Sequence, residues 1–146
     1  MDAIDKQIIK ILQDNSRVPI KDIARMVSLS SPAVSTRIAK LEKDGIIQEY
    51  CLRLNRERLG YHIIAYIQLE MDPSLKFKFH EQMRQCNNVL ECCNITGKYS
   101  QILKAAFKST TDLDAFLTRI QAFGRTSTHI VLSAHIPPRD LLIDNE

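Results

Sequence analysis

The chain has 146 residues, 45% of them hydrophobic, and carries 20 Lys/Arg against 17 Asp/Glu for a formal charge of +3. This composition fits one ordinary folded domain or two small ones and excludes general disorder. No apolar run approaches the roughly 20 residues that a bilayer-spanning helix needs. The opening Met1-Asp2-Ala3-Ile4-Asp5 is not a secretory signal, so a cytoplasmic location is expected. The charge is unevenly placed: residues 1–60 hold 11 Lys/Arg against 8 Asp/Glu, whereas residues 61–146 hold 9 of each. An excess of cations in the first part of the chain suits contact with a phosphate backbone. Cys51, Cys86, Cys92 and Cys93 lack the paired short spacing of a zinc site and the pattern of a secreted scaffold. Reduced thiols, no metal and no cofactor are expected.

The first helix is marked by Ile4, Ile8, Ile11 and Leu12, with Asp2 and Asp5 in its opening turn where the helix dipole favours negative charge, and it ends near Asp14-Asn15-Ser16. A second helix runs from about Ile20 to Val27, and a third from about Ser31 to Asp44. The short turn between them makes a helix-turn-helix. Val34, Ile38 and Leu41 recur on one face of the third helix, which leaves Ser35, Thr36, Arg37, Lys40 and Lys43 elsewhere. Ser30 or Ser31 can cap the helix, Pro32 is tolerated in its first turn and Gly45 ends it. Ser, Thr and Arg reach base edges, and Lys or Arg neutralises phosphates. The residues expected on DNA are Ser30, Ser31, Ser35, Thr36, Arg37 and Lys40, with Lys21, Arg17 and Arg25 on the backbone. The plain alternative is the solvated face of an ordinary amphipathic helix.

After Gly45 the segment Ile46–Leu54 has strand character, and Asn55–Gly60 is a polar connector. From there strands and helices alternate. Ile63–Met71 is a strand, Leu75–Cys86 a helix, Val89–Thr96 a strand, Gly97–Ser100 a turn and Gln101–Phe107 a strand. Leu113, Phe116, Leu117 and Ile120 make a further helical stripe, and a last strand is expected from about Thr128 to Ser133, before Pro137-Pro138. The order β-α-β-β-α-β is that of a ferredoxin-like fold, with both helices on one side of an antiparallel sheet. The expected class is therefore α+β. A helix-turn-helix domain (winged-helix-like) spans residues 1–50, a linker strand and connector 51–61, a ferredoxin-like domain 62–136 and a tail 137–146. The uncovered sheet face of so small a domain makes dimerisation the simplest way to complete it.

The chain resembles transcription regulators of the Lrp/AsnC (feast/famine) family over nearly its whole length. The blocks that carry the resemblance are Asp2–Ile9, Asn15–Arg17, Ile23-Ala24, Leu29-Ser30, Arg37-Ile38, Leu41-Glu42, Gly45–Ile47, Leu59-Gly60, Thr96–Ser100 and Thr126–Thr128. The resemblance implies a homodimer through the ferredoxin-like domains, assembly to an octamer, and a small-molecule effector, an amino acid or related metabolite, bound between subunits. It places that effector at Gly97, Tyr99, Ser100, Gln101, Thr126 and Thr128. Glycine lets a backbone approach a ligand, and hydroxyls pair with ammonium or carboxylate groups. Ser100 stands where many members have Asp, and the usual Pro-Gly before the last strand is absent from Ala122–Thr126.

Three functions compete. The leading one is a sequence-specific, effector-modulated DNA-binding regulator, and not an enzyme. A siroheme-decarboxylase-like enzyme on the same fold would use some of His62, His80, His129 and His135, although no second catalytic group stands at telling spacing. An architectural DNA-wrapping protein would use several reading heads at once, with little sequence preference.

Overall fold

The computed structural model describes residues 1–141, so the last five residues of the expected tail lie outside the described residues. The chain divides into two compact units: Met1–Arg53 with the C-terminal segment from Pro137, and Leu54–Ile136.

The first unit holds α1 (Ala3–Asp14), α2 (Ile20–Met26) and α3 (Ser31–Lys43). Ile8, Ile23, Ala24, Val27 and Val34 form its buried cluster, with Ile4, Ile11, Leu12, Val18, Leu29 and Ile38 packed around them. Burying such side chains contributes about 1.5–3 kcal/mol each, which is how a unit this small holds three helices.

Both ends of the α2–α3 turn are fixed by backbone bonds. The Leu29 amide donates to the Ala24 carbonyl at 2.9 Å and the Ser28 amide to Arg25 at 3.5 Å, closing a Schellman motif. Ser28 occupies the left-handed position (φ 55°) that this motif usually gives to glycine. On the far side Ser30 caps α3 by accepting from the Ala33 amide. Gly45 (φ 70°) then closes α3, with Ile46 donating to Leu41.

α1 is capped reciprocally by Asp2 and Asp5, and the same two carboxylates hold the Arg37 guanidinium of α3, at 2.6 Å and 2.7 Å. The sequence expectation that Arg37 faces DNA is corrected here: its charge is spent inside the unit, because the first turn of α1 lies against the middle of α3.

The segment Ile46–Leu54 is also corrected, since it forms no strand. The Ile46 and Ile47 amides turn back to the Leu41 carbonyl, and the Tyr50 hydroxyl donates to Glu42 at 2.8 Å. Beyond them Leu52 is 84% exposed. A strand requires a neighbour to receive its ladder bonds, and no described segment provides one.

The second unit carries β1 (Ile63–Met71), α4 (Lys76–Arg84), β2 (Val89–Asn94), β3 (Gln101–Phe107), α5 (Thr110–Ile120) and β4 (Gly124–Ile130). The strands make one antiparallel sheet in the order β2-β3-β1-β4. Ala65, Ile67, Leu69 and Met71 of β1 meet Phe79 and Met83 of α4 and Leu113, Phe116 and Ile120 of α5 in a single core. Both helices therefore cover the same face. On the opposite face Tyr66, Ile64 and Ile102 are only partly covered, and Lys104 lies over the Tyr66 ring at 5.4 Å.

The last strand begins four residues earlier than the sequence pattern indicates. Its ladder starts with Gly124 opposite Met71 and ends with Ile130 opposite Ala65. Gly124 reads as turn material, but it permits the close approach that starts the ladder: a Cβ there would lie 2.0 Å from the Glu70 carbonyl oxygen.

Two outcomes follow. Gly124→Ala is expected to cost about 2 kcal/mol or more in urea unfolding, since the clash is with backbone. Gly97→Ala, which meets no atom within 4 Å, should cost about 1 kcal/mol from its positive φ alone. Equal losses would contradict the role given to Gly124. The second outcome concerns acid. The Asp5 amide and then the Arg37 guanidinium hold the Asp2 carboxyl below its ordinary value of 3.8. A carboxyl lowered on folding stabilises above its unfolded pKa and loses that contribution as pH falls through its folded one. Thermal unfolding between pH 6 and pH 2 should therefore decline less steeply in Asp2→Asn, which keeps a capping oxygen but has no charge to lose. Identical profiles would contradict the assignment.

Candidate DNA-reading helix and effector turn

The exposed side of α3 is built from Pro32, Thr36, Ala39, Lys40 and Lys43, at three- and four-residue spacing. Ser31 and Ser35 flank this stripe and are half-buried. Ser30 spends its oxygen on the Ala33 amide, and Thr36 Oγ1 donates to the Pro32 carbonyl at 3.0 Å. Among the described residues, Lys40, Lys43, Lys21 and Arg17 make no ion pair, whereas Arg25 reaches Asp22 at 3.5 Å. The outward surface of α3 thus combines small groups with two lysines in its last turns. Arg37 is absent from it, and its two carboxylate partners raise its pKa further.

Tyr50 is the anchor that spacing did not single out. Desolvation, followed by its bond to Glu42, pushes its pKa up to about 12, so it stays protonated and holds the chain leaving α3 against that helix.

In the second unit the turn Gly97–Ser100 joins β2 to β3. It is closed by the Ile95 amide on the Ser100 carbonyl at 3.1 Å, and the Ser100 amide donates to the Leu69 carbonyl of β1 at 3.0 Å. Lys98 lies over the Tyr99 ring at 5.5 Å. Thr126 pairs with Leu69 from the other side. Ser100 and Thr126 therefore flank one β1 residue, roughly two strand spacings apart, or about 10 Å, at one end of the sheet.

The remaining two effector candidates are placed differently. Gln101 is 1% exposed. Its amide donates to Asn94 at 2.6 Å, and its oxygen meets His80 Nε2 at 3.1 Å and Cys92 Sγ at 3.9 Å. It is an internal brace between β2, β3 and α4. Thr128 pairs with Ile67, farther along β4 and on the helix-covered face, since residues opposite one another in a ladder share a face. Ser127 and His129 point to the other face and bond to each other at 3.3 Å.

An open depression of about 340 Å³ lies beside this brace, between α4 and β2, and is lined by His80, Met83, Arg84, Cys92 and Asn94 among others. It adjoins the buried Gln101 network and does not include the Gly97–Ser100 turn.

The four cysteines are free. Burial pushes Cys92 up, and bonds to Glu49 and Glu91 push Cys51 and Cys93 up, which disfavours the thiolate in each. Among the described residues no group of three or more His, Cys, Asp or Glu is placed to hold a metal ion, and no helix is long and apolar enough to cross a membrane. The histidines do not gather: His80 faces the helices, and His129 the opposite side of the sheet.

Two family descriptions match this arrangement: a winged helix-turn-helix DNA-binding domain over residues 1–48 and an Lrp/AsnC ligand binding domain over residues 64–141. The HTH-type transcriptional regulator FL11 of Pyrococcus furiosus is 30% identical, over 92% of this chain and 91% of its own. The structure of Bacillus subtilis LrpC superposes with a TM-score of 0.89 at 26% identity, covering 94% of this chain and 99% of that one. A Neisseria meningitidis transcriptional regulator, NMB0573, solved as an L-Met complex, shares the fold with a TM-score of 0.89 at 23% identity, over 95% and 94% of the two chains. With its helix-turn-helix unit followed by a four-stranded α+β ligand-binding unit, the chain belongs to the Lrp/AsnC family of DNA-binding transcriptional regulators.

Proposed function

We propose that this chain is a sequence-specific regulator that works as a homodimer, with one α3 helix from each protomer entering a major groove and an amino acid or related metabolite setting its DNA affinity. The observation that carries the reading is the outward stripe of α3: small side chains and lysines on a helix whose turn, cap and inner face are all fixed by other bonds. A helix held in this way presents its side chains with little loss of freedom on binding.

In this reading Ser31, Ser35 and Thr36 approach base edges with the capping Ser30 beside them. Lys40 and Lys43 meet phosphates, as do Lys21 and Arg17 from the neighbouring elements. Arg37 orients α3 and does not touch DNA. The half-covered sheet face of Ile64, Tyr66 and Ile102 pairs with its copy in a second protomer, and dimers assemble further to an octamer.

The effector sits at Gly97, Tyr99, Ser100 and Thr126, completed by a neighbouring protomer. Gln101 and Thr128 shape the site from behind. The L-Met bound by the Neisseria regulator favours an amino acid as the ligand class. Ser100 offers a hydroxyl and no charge, so the ammonium group of such a ligand would need its counter-charge from elsewhere.

If this reading holds, replacing Lys40 and Lys43 by Ala lowers the slope of log K against log salt by about 2, close to one for each lost phosphate contact. Arg37→Ala lowers the stability of the first unit instead. An unchanged slope in the lysine variant would contradict the phosphate assignment.

A panel of amino acids added to the full chain should contain at least one that raises its unfolding temperature. Ligand at 100 times its Kd stabilises a folded protein by about 2.7 kcal/mol. Ser100→Ala or Tyr99→Ala should reduce the shift. No shift with any amino acid would contradict the ligand class.

A further inference from the structure

The N-terminal half of the outward α3 stripe has almost no proton to give. Pro32 lacks an amide hydrogen, Ala39 ends in a methyl, and Thr36 commits its hydroxyl proton to the Pro32 carbonyl at 3.0 Å. A threonine hydroxyl has one donor and two lone pairs, so Thr36 keeps acceptor capacity and a methyl group toward the outside. Arg37, whose fork matches the paired N7 and O6 acceptors of guanine, is held on Asp2 and Asp5.

In the major groove guanine shows two acceptors. Adenine and cytosine each show an amino donor, and thymine alone shows a methyl. A surface of methyl groups and one acceptor leaves the acceptors of guanine without partners once water is expelled, and a buried acceptor left unpaired costs about 1–3 kcal/mol.

We infer that the first half of α3 selects A·T pairs. The Pro32 ring and the Thr36 and Ala39 methyls pack on thymine methyl groups, and Thr36 Oγ1 accepts from an adenine amino group. Lys40 and Lys43, in the second half of the helix, serve the backbone. The inference rests on α3 being the DNA-reading element, and its test separates the two claims.

The full-length protein is used to select half-sites from a random duplex library. The enriched positions are then altered chemically. Deoxyuridine in place of thymine removes only the methyl, and purine in place of adenine removes only the amino group. Each change should weaken binding by the wild-type chain about threefold to fivefold, the worth of one buried methyl or one ordinary hydrogen bond.

Thr36→Ser keeps the hydroxyl and should lose the response to deoxyuridine at one position. Thr36→Val keeps the methyl and should lose the response to purine. Both changes lie on an exposed position, and unaltered unfolding curves confirm that each variant folds.

Enriched half-sites built on guanine, tight binding without sequence preference, or indifference to deoxyuridine would overturn the inference while leaving DNA binding in place. Failure to retain any duplex at low salt would overturn the DNA-reading role of α3, and the inference with it.

Discussion

The contact of Arg37 with Asp2 and Asp5 is the constraint on which the reading helix depends. The two carboxylates already cap α1 reciprocally, so the guanidinium draws on a turn that is ordered before α3 arrives. One ion-paired network thereby ends α1, fixes where the middle of α3 lies and removes the strongest donor from its outward surface. What remains outside is a run of small groups followed by lysines, and the chemistry proposed for DNA follows from that remainder. The hydrophobic cluster around Ile8, Ile23 and Val34 supplies most of the cohesion. Apolar burial has little directionality, and it is the charged network together with the Schellman turn that sets the angle at which α3 is presented.

In the second unit the central strand has the corresponding role. β1 pairs on both sides, carries the core residues Ala65, Ile67 and Leu69 toward the helices and leaves Ile64, Tyr66 and Gln68 toward the other face. Its Leu69 carbonyl receives the Ser100 amide, and its Glu70 carbonyl sets how closely Gly124 must pass. The end of the sheet where the effector is proposed to bind is therefore organised by a strand that contributes no candidate ligand contact of its own. A substitution in β1 that shifted its register would disturb the turn and the start of β4 together.

Much of this was legible in the sequence because apolar spacing reports burial directly. The face of α3 through Val34 and Leu41, the Gly45 stop and the alternation along β1 all depend on neighbours close in the chain. Contacts between distant residues were not legible. Arg37 lies 35 residues from Asp2, and its outward reading failed because only packing brings the two helices together. Tyr50, Leu52 and Leu54 alternate as a strand does, yet alternation does not supply the partner whose carbonyls and amides a strand needs. Gly124 resembled the end of a turn, and its ladder position became visible only once the Glu70 carbonyl stood 2.0 Å from an imagined Cβ. Gln101 followed the turn in sequence and was grouped with it, although its side chain belongs to the buried brace with His80 and Asn94.

The central claim is that Arg37 positions α3 while the stripe from Pro32 to Lys43 makes the contact. Its most direct measurement is a nuclear magnetic resonance titration of the isotopically labelled full chain with a selected duplex, following the Arg37 side-chain Nε–H signal beside the Thr36 and Ala39 methyl signals. The account predicts that the methyl signals move with saturation while the Arg37 signal stays where it is in the free protein. An Arg37 signal that shifts strongly, with the Thr36 and Ala39 methyls unmoved, would show that the guanidinium leaves its carboxylates for DNA and would contradict the account.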